Sequence, residues 1–283
     1  MLVSVRKVQS KTISQYLSAI RYLHLVEGHD PSCLRPPIVA LILRGREHWD
    51  EVEKKLENKP KRVAVTVEIM NFIKRSLVRM HIGEEEKLRV WAVCALMMCA
   101  SLRVHEVLSK GQDHCPQTTL MYEDFEMSEV RVGGTVRTII RLRLKSPKED
   151  RVGSGLWLEI FGNNTMLCPV RAVKKWLSVA IKPQVGQPFF RLKSGDNFTG
   201  KDLNKILSKI TASISDSMGG VVRAHSFRSA IPTQMGLMGF SNEDIQAQGR
   251  WTSGAFKAYI KKDRLRRLQF TDKWVERMVA DKM

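Results

Sequence analysis

Apolar residues recur at intervals of three and four through Tyr16, Leu17, Ile20 and Leu23, which predicts a helix that Ser10 caps and that Gly28, Asp30 and Pro31 end. A second helix follows through Val39, Leu41, Ile42 and Leu43. The stretch Glu51 to Arg62 is charged, carries Pro60 and reads as a linker. That divides the chain into residues 1–56, two or three helices too few to bury a core alone, and residues 57–283. From Thr66 the pattern predicts helices over Val67–Met80, Glu84–Ala100 and Val104–Lys110. The second is apolar nearly all round and should be a central buried helix.

Three strand candidates come next: Thr119–Met127, Thr138–Leu144 and Leu156–Ile160. The middle one alternates apolar and basic residues, giving one buried face and one cationic face. Pro169 opens a helix through Val170, Val173 and Trp176, and Thr199 caps another through Leu203, Ile206, Leu207 and Ile210. Ala224 to Gly239 reads as helical, with Pro232 kinking it or lying near an end. Ser241 with Asp244 resembles a capping box, and Gly249 ends that short helix. The predicted fold class is mainly α with a small antiparallel β-sheet, an α+β arrangement.

Charge changes this picture more than composition does. Of 283 residues, 47 are Lys or Arg and 29 are Asp or Glu, a net charge of +18 spread along the chain. A polyanion partner follows, nucleic acid first and an acidic membrane surface second. Hydrophobic content of 43% supplies a sizeable core and argues against global disorder. The five cysteines form no C-x-x-C pair and no zinc-like cluster, which fits a reducing compartment. No apolar run is long enough for a membrane span, and no signal peptide is visible.

Two short segments carry candidate chemistry: Ser101-Leu102-Arg103-Val104-His105-Glu106 and Ala224-His225-Ser226-Phe227-Arg228. A planar, permanently charged guanidinium at Arg103 can hold two phosphate oxygens at once. His225 and Arg228 share one face of a helix, so both reach one ligand, and an imidazole moves protons near neutral pH. Gly249-Arg250-Trp251 follows, and Tyr259 lies nine residues after Arg250. A tyrosine beside such a cluster is a candidate nucleophile at phosphorus.

The order and spacing of these segments resemble the tyrosine recombinase (phage integrase) superfamily, from about Lys11 to the C-terminus. Arg103 and Glu106 match its G-L-R-x-x-E box, with Ser101 where glycine is usual. His225 and Arg228 match its H-x-x-R. The resemblance implies that Arg103 and Arg228 clamp the scissile phosphate, that Glu106 braces the clamp, and that His225 transfers protons. Tyr259 would then form a 3′-phosphotyrosine with a 5′-hydroxyl leaving group, and no metal, cofactor or ATP would be needed.

Arg250 stands where the family has histidine or tryptophan. It can donate a hydrogen bond but cannot act as a base. Similar G-R-W-x-S segments occur in recombinases of eukaryotic mobile elements, the DIRS-type retrotransposons and cryptons. Trp251 either fills the aromatic position by a one-residue shift or belongs to the core. A hairpin lysine protonates the leaving group in the family; Lys145 aligns better, with Lys148 as the alternative.

Further expectations rest on the same resemblance. Residues 1–56 would be the second half of a helical, SAM-like DNA core-binding domain, N-terminally truncated, and residues 57–283 the catalytic domain. Double-stranded DNA would be the partner, with Arg141, Arg143, Lys174, Lys175, Lys201 and Lys205 as phosphate contacts. The tail Ile260–Met283, basic and then amphipathic, would dock on a neighbouring protomer to build a homo-tetramer on DNA. The location would be nuclear for a eukaryotic element, otherwise cytoplasmic on DNA. Two other readings stay open: a catalytically degenerate DNA-binding protein descended from such an enzyme, and a type IB topoisomerase.

Overall fold

The computed structural model describes residues 8–34, 37–56, 60–113, 116–145, 155–163, 165–251 and 254–258. The chain forms two compact units, Met1–Pro60 and Lys61–Met283.

The first unit is a helical hairpin, α1 (Ser10–Val26) and α2 (Pro37–Leu56), joined through a 3-10 turn at Pro31–Leu34. Ser10 does not cap α1; the N-cap is Gln9. Instead the backbone N–H and the hydroxyl of Ser10 both donate to Asp50 Oδ2, at 2.7 and 2.6 Å, and Arg46 pairs with the same carboxylate at 3.0 Å. The start of one helix is thereby clasped to the far end of the other, so they run antiparallel. The charged stretch expected to be linker from Glu51 is helical to Leu56: its glutamates and lysines are good helix formers that extend an already nucleated helix. Two helices cannot enclose a core. Tyr22, Leu25, Leu41 and Trp49 accordingly stay more than half exposed.

The second unit begins with an extended segment, Lys61–Val65, that lies parallel to Val221 and its neighbours. Val221 N–H donates to the Lys61 carbonyl at 2.8 Å, Val63 N–H to Val221 at 3.1 Å, and Val65 N–H to Ser226 at 3.3 Å. Thr66 then caps α3 (Val67–Arg79), its hydroxyl accepting from Ile69 N–H. The central helix is α4 (Glu84–Cys99), with three glutamates at its electropositive start and Val90 to Met97 buried on every side. Arg89 pairs with Glu85 at 2.7 Å within the helix, and both are buried. Trp176 Nε1 donates to Glu85 at 2.8 Å, Arg89 donates to the Arg191 carbonyl at 3.0 Å, and its guanidinium lies 4.8 Å over the Phe198 ring. Burial pushes the thiol of Cys94 up, and that of Cys99 to about 11, so both behave as apolar filler.

Beyond α4 comes the short helix α5 (Val104–Val107), which stops well before the expected Lys110 because Ser109 bridges to Thr199. The sheet is an antiparallel meander of β1 (Phe125–Val132), β2 (Thr135–Leu144) and β3 (Leu156–Phe161). Register pairs Phe125 with Leu142 and Ile140 with Ile160. The first strand starts later than its apolar pattern suggested, because Met121–Asp124 is a tight turn in which Asp124 accepts from Met121 N–H at 3.0 Å. Gly133 and Gly134, both at positive φ, make the two-residue turn between β1 and β2. Ile140, Leu142 and Leu144 face the core.

Helix α6 (Pro169–Leu177) packs its Val170, Val173 and Trp176 against α4, and Trp176 joins Phe189 and Phe190 in an aromatic cluster. Helix α7 (Gly200–Thr211) has the expected Thr199 cap, completed by Asp202 into a capping box. A Cβ at Gly200 would lie 2.8 Å from Val104, so α7 begins directly against the α5 turn. The predicted Ala224–Gly239 helix is broken. A 3-10 turn spans Ala224–Phe227, and α8 (Ala230–Met238) starts afresh with Pro232 in its first turn, where a missing N–H costs nothing. Finally α9 (Asn242–Gly249) opens on the Ser241–Asp244 capping box. Among the described residues no helix is long and apolar enough to cross a membrane.

Candidate active site

The site is organised around a tight turn that follows the central helix. Ser101 sits in the left-handed region, φ 49°, where a side chain costs about 1 kcal/mol or more. Its hydroxyl recovers part of that by donating to the Arg228 carbonyl at 3.0 Å. The conformation turns the Ser101 carbonyl towards two guanidiniums: Arg228 Nη1 donates to it, and Arg250 Nη2 reaches it at 3.3 Å. Glycine's usual place in the box is thus a backbone requirement, met here by serine with a hydrogen bond.

Two residues on, Arg103 begins α5 and Glu106 closes its first turn. The Glu106 carboxylate accepts from Arg103 N–H at 2.7 Å and from Arg103 Nη1 at 2.8 Å, and lies 3.3 Å from Arg250 Nη2. Burial alone would push this carboxyl up. Arg250, the Arg103 N–H, and the guanidiniums of Arg103 and Arg228 outweigh burial and hold it below the ordinary glutamate value. One buried anion therefore organises three cations.

Arg228 is only 2% exposed, and its guanidinium stacks 4.5 Å over the Trp251 ring. Trp251 is itself buried, against Phe256 and Ile245. Its ring lies flat on Gly249, where a Cβ would come within 1.4 Å of Cζ3. The next residue, Arg250, takes the left-handed position that ends α9, φ 57°. Gly249 was expected to end the helix. It is kept as the last helical residue because the tryptophan needs its bare face. The side chain of Arg250 is 10% exposed, and its Nε and Nη1 are buried without a hydrogen-bond partner among the described residues.

His225 stands on the 3-10 turn three residues before Arg228, so the pair shares one side of the turn despite the broken helix. Burial, then the charges of Arg62, Arg228 and Arg103 and the neighbouring His105, hold its imidazole below the ordinary value. His105 is lowered as well, by burial and by Arg103 and Lys110, against an upward pull from Glu106. Both shifts favour the neutral form of the ring.

Other expected residues make contacts of their own. Lys145, at the end of β2, is ion-paired at 2.6 Å with Asp124, which is almost fully buried. Lys148 and Tyr259 fall outside the described residues, as does the tail Ile260–Met283; the 3-10 turn Gly254–Ala258 leads up to Tyr259. Arg141 lies between Glu126 at 2.9 Å and Glu159 at 3.3 Å and over the Trp157 ring, so its charge is compensated locally. Arg143, Lys174, Lys175, Lys201 and Lys205 are exposed. Among the described residues no group of His, Cys, Asp or Glu could hold a metal ion.

Two further residues bear on this site. His105 lies inside the R-x-x-E box and could have been singled out there. Arg62 carries no motif, because it reaches His225 through a strand bridge rather than through sequence proximity.

Three guanidiniums and an imidazole, with Arg250 Nε and Nη1 lacking a hydrogen-bond partner among the described residues, make a receptor for a tetrahedral or trigonal-bipyramidal oxyanion. No protein-family model matches the chain, and no curated protein matches it by sequence. Solved structures do. The XerH site-specific recombinase, in a post-cleavage complex with palindromic difH substrate, aligns over 77% of this chain with a TM-score of 0.53 at 14% identity. The chain spans about half of that protein, 54% of its length. XerA recombinase aligns over 96% of this chain and 78% of its own at 12% identity, TM-score 0.48. The Tn1549 transposon integrase with circular intermediate DNA covers 77% and 68%, also at 12% identity, TM-score 0.47. Mostly helical with a three-stranded antiparallel sheet, this chain shares the fold of the XerH site-specific recombinase over the aligned part of its length.

Proposed function

We propose that this protein cleaves and rejoins duplex DNA as a tyrosine recombinase. The observation that carries the reading is the convergence of Arg103, Arg228 and Arg250 on the Ser101 carbonyl and the Glu106 carboxylate, beside His225. In this reading the guanidiniums hold the non-bridging oxygens of one phosphodiester. His225 accepts the phenol proton as Tyr259 Oη attacks phosphorus. The P–O5′ bond breaks, a lysine of the β2–β3 turn (Lys145 or Lys148) gives its proton to the leaving 5′-oxygen, and a 3′-phosphotyrosine remains. Attack by a 5′-hydroxyl reverses each step, so the bond energy is conserved and no ATP is consumed.

The three arginines stabilise the charge that builds up in the transition state; each is worth about 3 kcal/mol, a factor of about 100 in rate. The same reading gives the protein a mobile-element recombinase's role in integration or excision, a tetramer on DNA and, in a eukaryote, a nuclear location.

A second reading, a DNA-binding descendant without catalysis, is favoured by the burial of Arg228 and the engagement of Lys145 by Asp124. Covalent trapping separates them. The protein is incubated with nicked duplexes drawn from its genomic flanks, and SDS-resistant adducts are sought in wild type and Tyr259→Phe. An adduct confined to wild type supports the enzyme. DNA binding without an adduct supports the binding module.

A further inference from the structure

Arg62 lies two residues into the second unit, on the segment whose backbone is laced to Val221 and Ser226. That lacing is close. A Cβ at Gly220 would stand 2.0 Å from the Lys61 carbonyl oxygen, so only glycine lets the two strands approach. The segment is therefore held in place as firmly as the His225 turn it runs beside.

Its arginine differs from those already described. Arg103 and Arg250 share Glu106, and Arg141 is neutralised by Glu126 and Glu159. The Arg62 side chain is exposed and meets no carboxylate among the described residues. Its charge nevertheless bears on His225 more strongly than those of Arg228 and Arg103 do. A cation that meets no described carboxylate, held beside a receptor in which Arg250 Nε and Nη1 have no hydrogen-bond partner among the described residues, is complementary to a multiply charged oxyanion.

We propose that Arg62 is a phosphate-binding residue of this site, contacting the same DNA phosphate as Arg103 and Arg250, so that the segment Lys61–Val65 forms one wall of the anion receptor. The inference rests on the DNA reading above and adds to it a residue from outside the recognised motifs. Arg62 has a second effect. A fixed cation beside His225 keeps that imidazole neutral, together with Arg228 on its own turn and Arg103 and His105 on α5, while Glu106 is already committed to the arginines.

The test uses the full chain, with Arg62→Ala and Arg62→Lys. Two probes are titrated: inorganic phosphate, followed through the His225 imidazole resonances, and a generic duplex, whose affinity is measured across salt concentrations. Arg62→Ala should weaken phosphate binding by about tenfold and reduce the salt slope of duplex binding by about 0.9. It should also raise the pH at which His225 titrates. Arg62→Lys should restore the salt slope and the titration but only part of the phosphate affinity, because an ammonium lacks the planar fork. Both variants leave the backbone bridges intact, and denaturation midpoints check this.

Wild-type phosphate affinity, salt slope and His225 titration in Arg62→Ala would overturn the proposal. The recombinase reading would be untouched if the Tyr259 adduct still formed. Conversely, weakened phosphate binding in Arg62→Ala with no adduct even in wild type would sustain the anion site and sink the recombinase reading.

Discussion

Arg250 donates to the carbonyl oxygen of Ser101 across 149 residues of sequence, at 3.3 Å, and these two are the non-glycine residues with positive φ among those described. Both depart from ordinary backbone geometry at the point where they meet. Each left-handed turn places a polar group that an extended or helical backbone would aim elsewhere. Strain collected in this way marks a site whose geometry is enforced by its surroundings.

The Ser101 turn makes a graded prediction. Ser101→Gly removes the left-handed penalty and loses one hydrogen bond, each about 1 kcal/mol, so its stability should match wild type. Ser101→Ala keeps the penalty and loses the bond, costing about 1 kcal/mol. Ser101→Val adds β-branching in a fully buried place and should cost more than either. Urea denaturation gives the order, and Ala as stable as Gly would contradict it.

Among the described residues, Glu106 is the carboxylate that pairs with both Arg103 and Arg250. Glu106→Ala should destabilise by about 3 kcal/mol, since it strands buried positive charge. Saturating phosphate should return part of the loss, because an anion that binds only the folded state stabilises it. Thermal melts with and without phosphate measure both; a loss that phosphate leaves unchanged would mean the guanidiniums do not face an anion site.

At Gly249 the expectation is steric. Gly249→Ala drives a methyl into the Trp251 ring and should cost about 1–3 kcal/mol while displacing the tryptophan from Arg228. Adding Trp251→Leu should recover stability without recovering activity. A double variant no more stable than Gly249→Ala would show that the clash is not the cause.

The two histidines set a pH dependence. Both have folded values below the unfolded one of about 6.5. The unfolded chain then binds more protons, and stability should fall as pH drops below about 6.5 and be complete above it. His105→Gln with His225→Gln should flatten that slope between pH 7 and pH 5. Midpoints that stay parallel to wild type across this range would refute the assignment.

Arg228 tests the chemistry. Arg228→Lys keeps the charge but loses the planar stack on Trp251 and the paired donors, so adduct formation should fall by about 100-fold at little change in duplex affinity. Quench-flow with nicked substrate separates the two quantities.

Much of this arrangement was legible from residue order, and the reasons are local. The buried α4 announces itself by apolar residues on every face, and the Thr199 and Ser241 caps by their acidic partners three positions on. The R-x-x-E and H-x-x-R segments point to one receptor because each places its side chains within a single turn. What escaped was non-local. Ser10 looked like a cap until Asp50, forty residues away, claimed both its donors. The break after Phe227 follows from the Ser101–Arg228 bonds, which no helical periodicity encodes. Arg62 reaches His225 only through backbone pairing, and Arg141 is answered by acids on two neighbouring strands.

The ion pair between Lys145 and Asp124 has a mechanical meaning if that lysine is the acid of the proposed reaction. Asp124 is almost fully enclosed, and withdrawing the ammonium would leave a carboxylate whose partner among the described residues is the Met121 amide. Lys145 is therefore held where it stands. In the proposed reaction the pair would act as a latch, and nicking would wait for whatever supplies enough binding energy to lift it, so that a protomer meeting DNA by chance would stay unarmed.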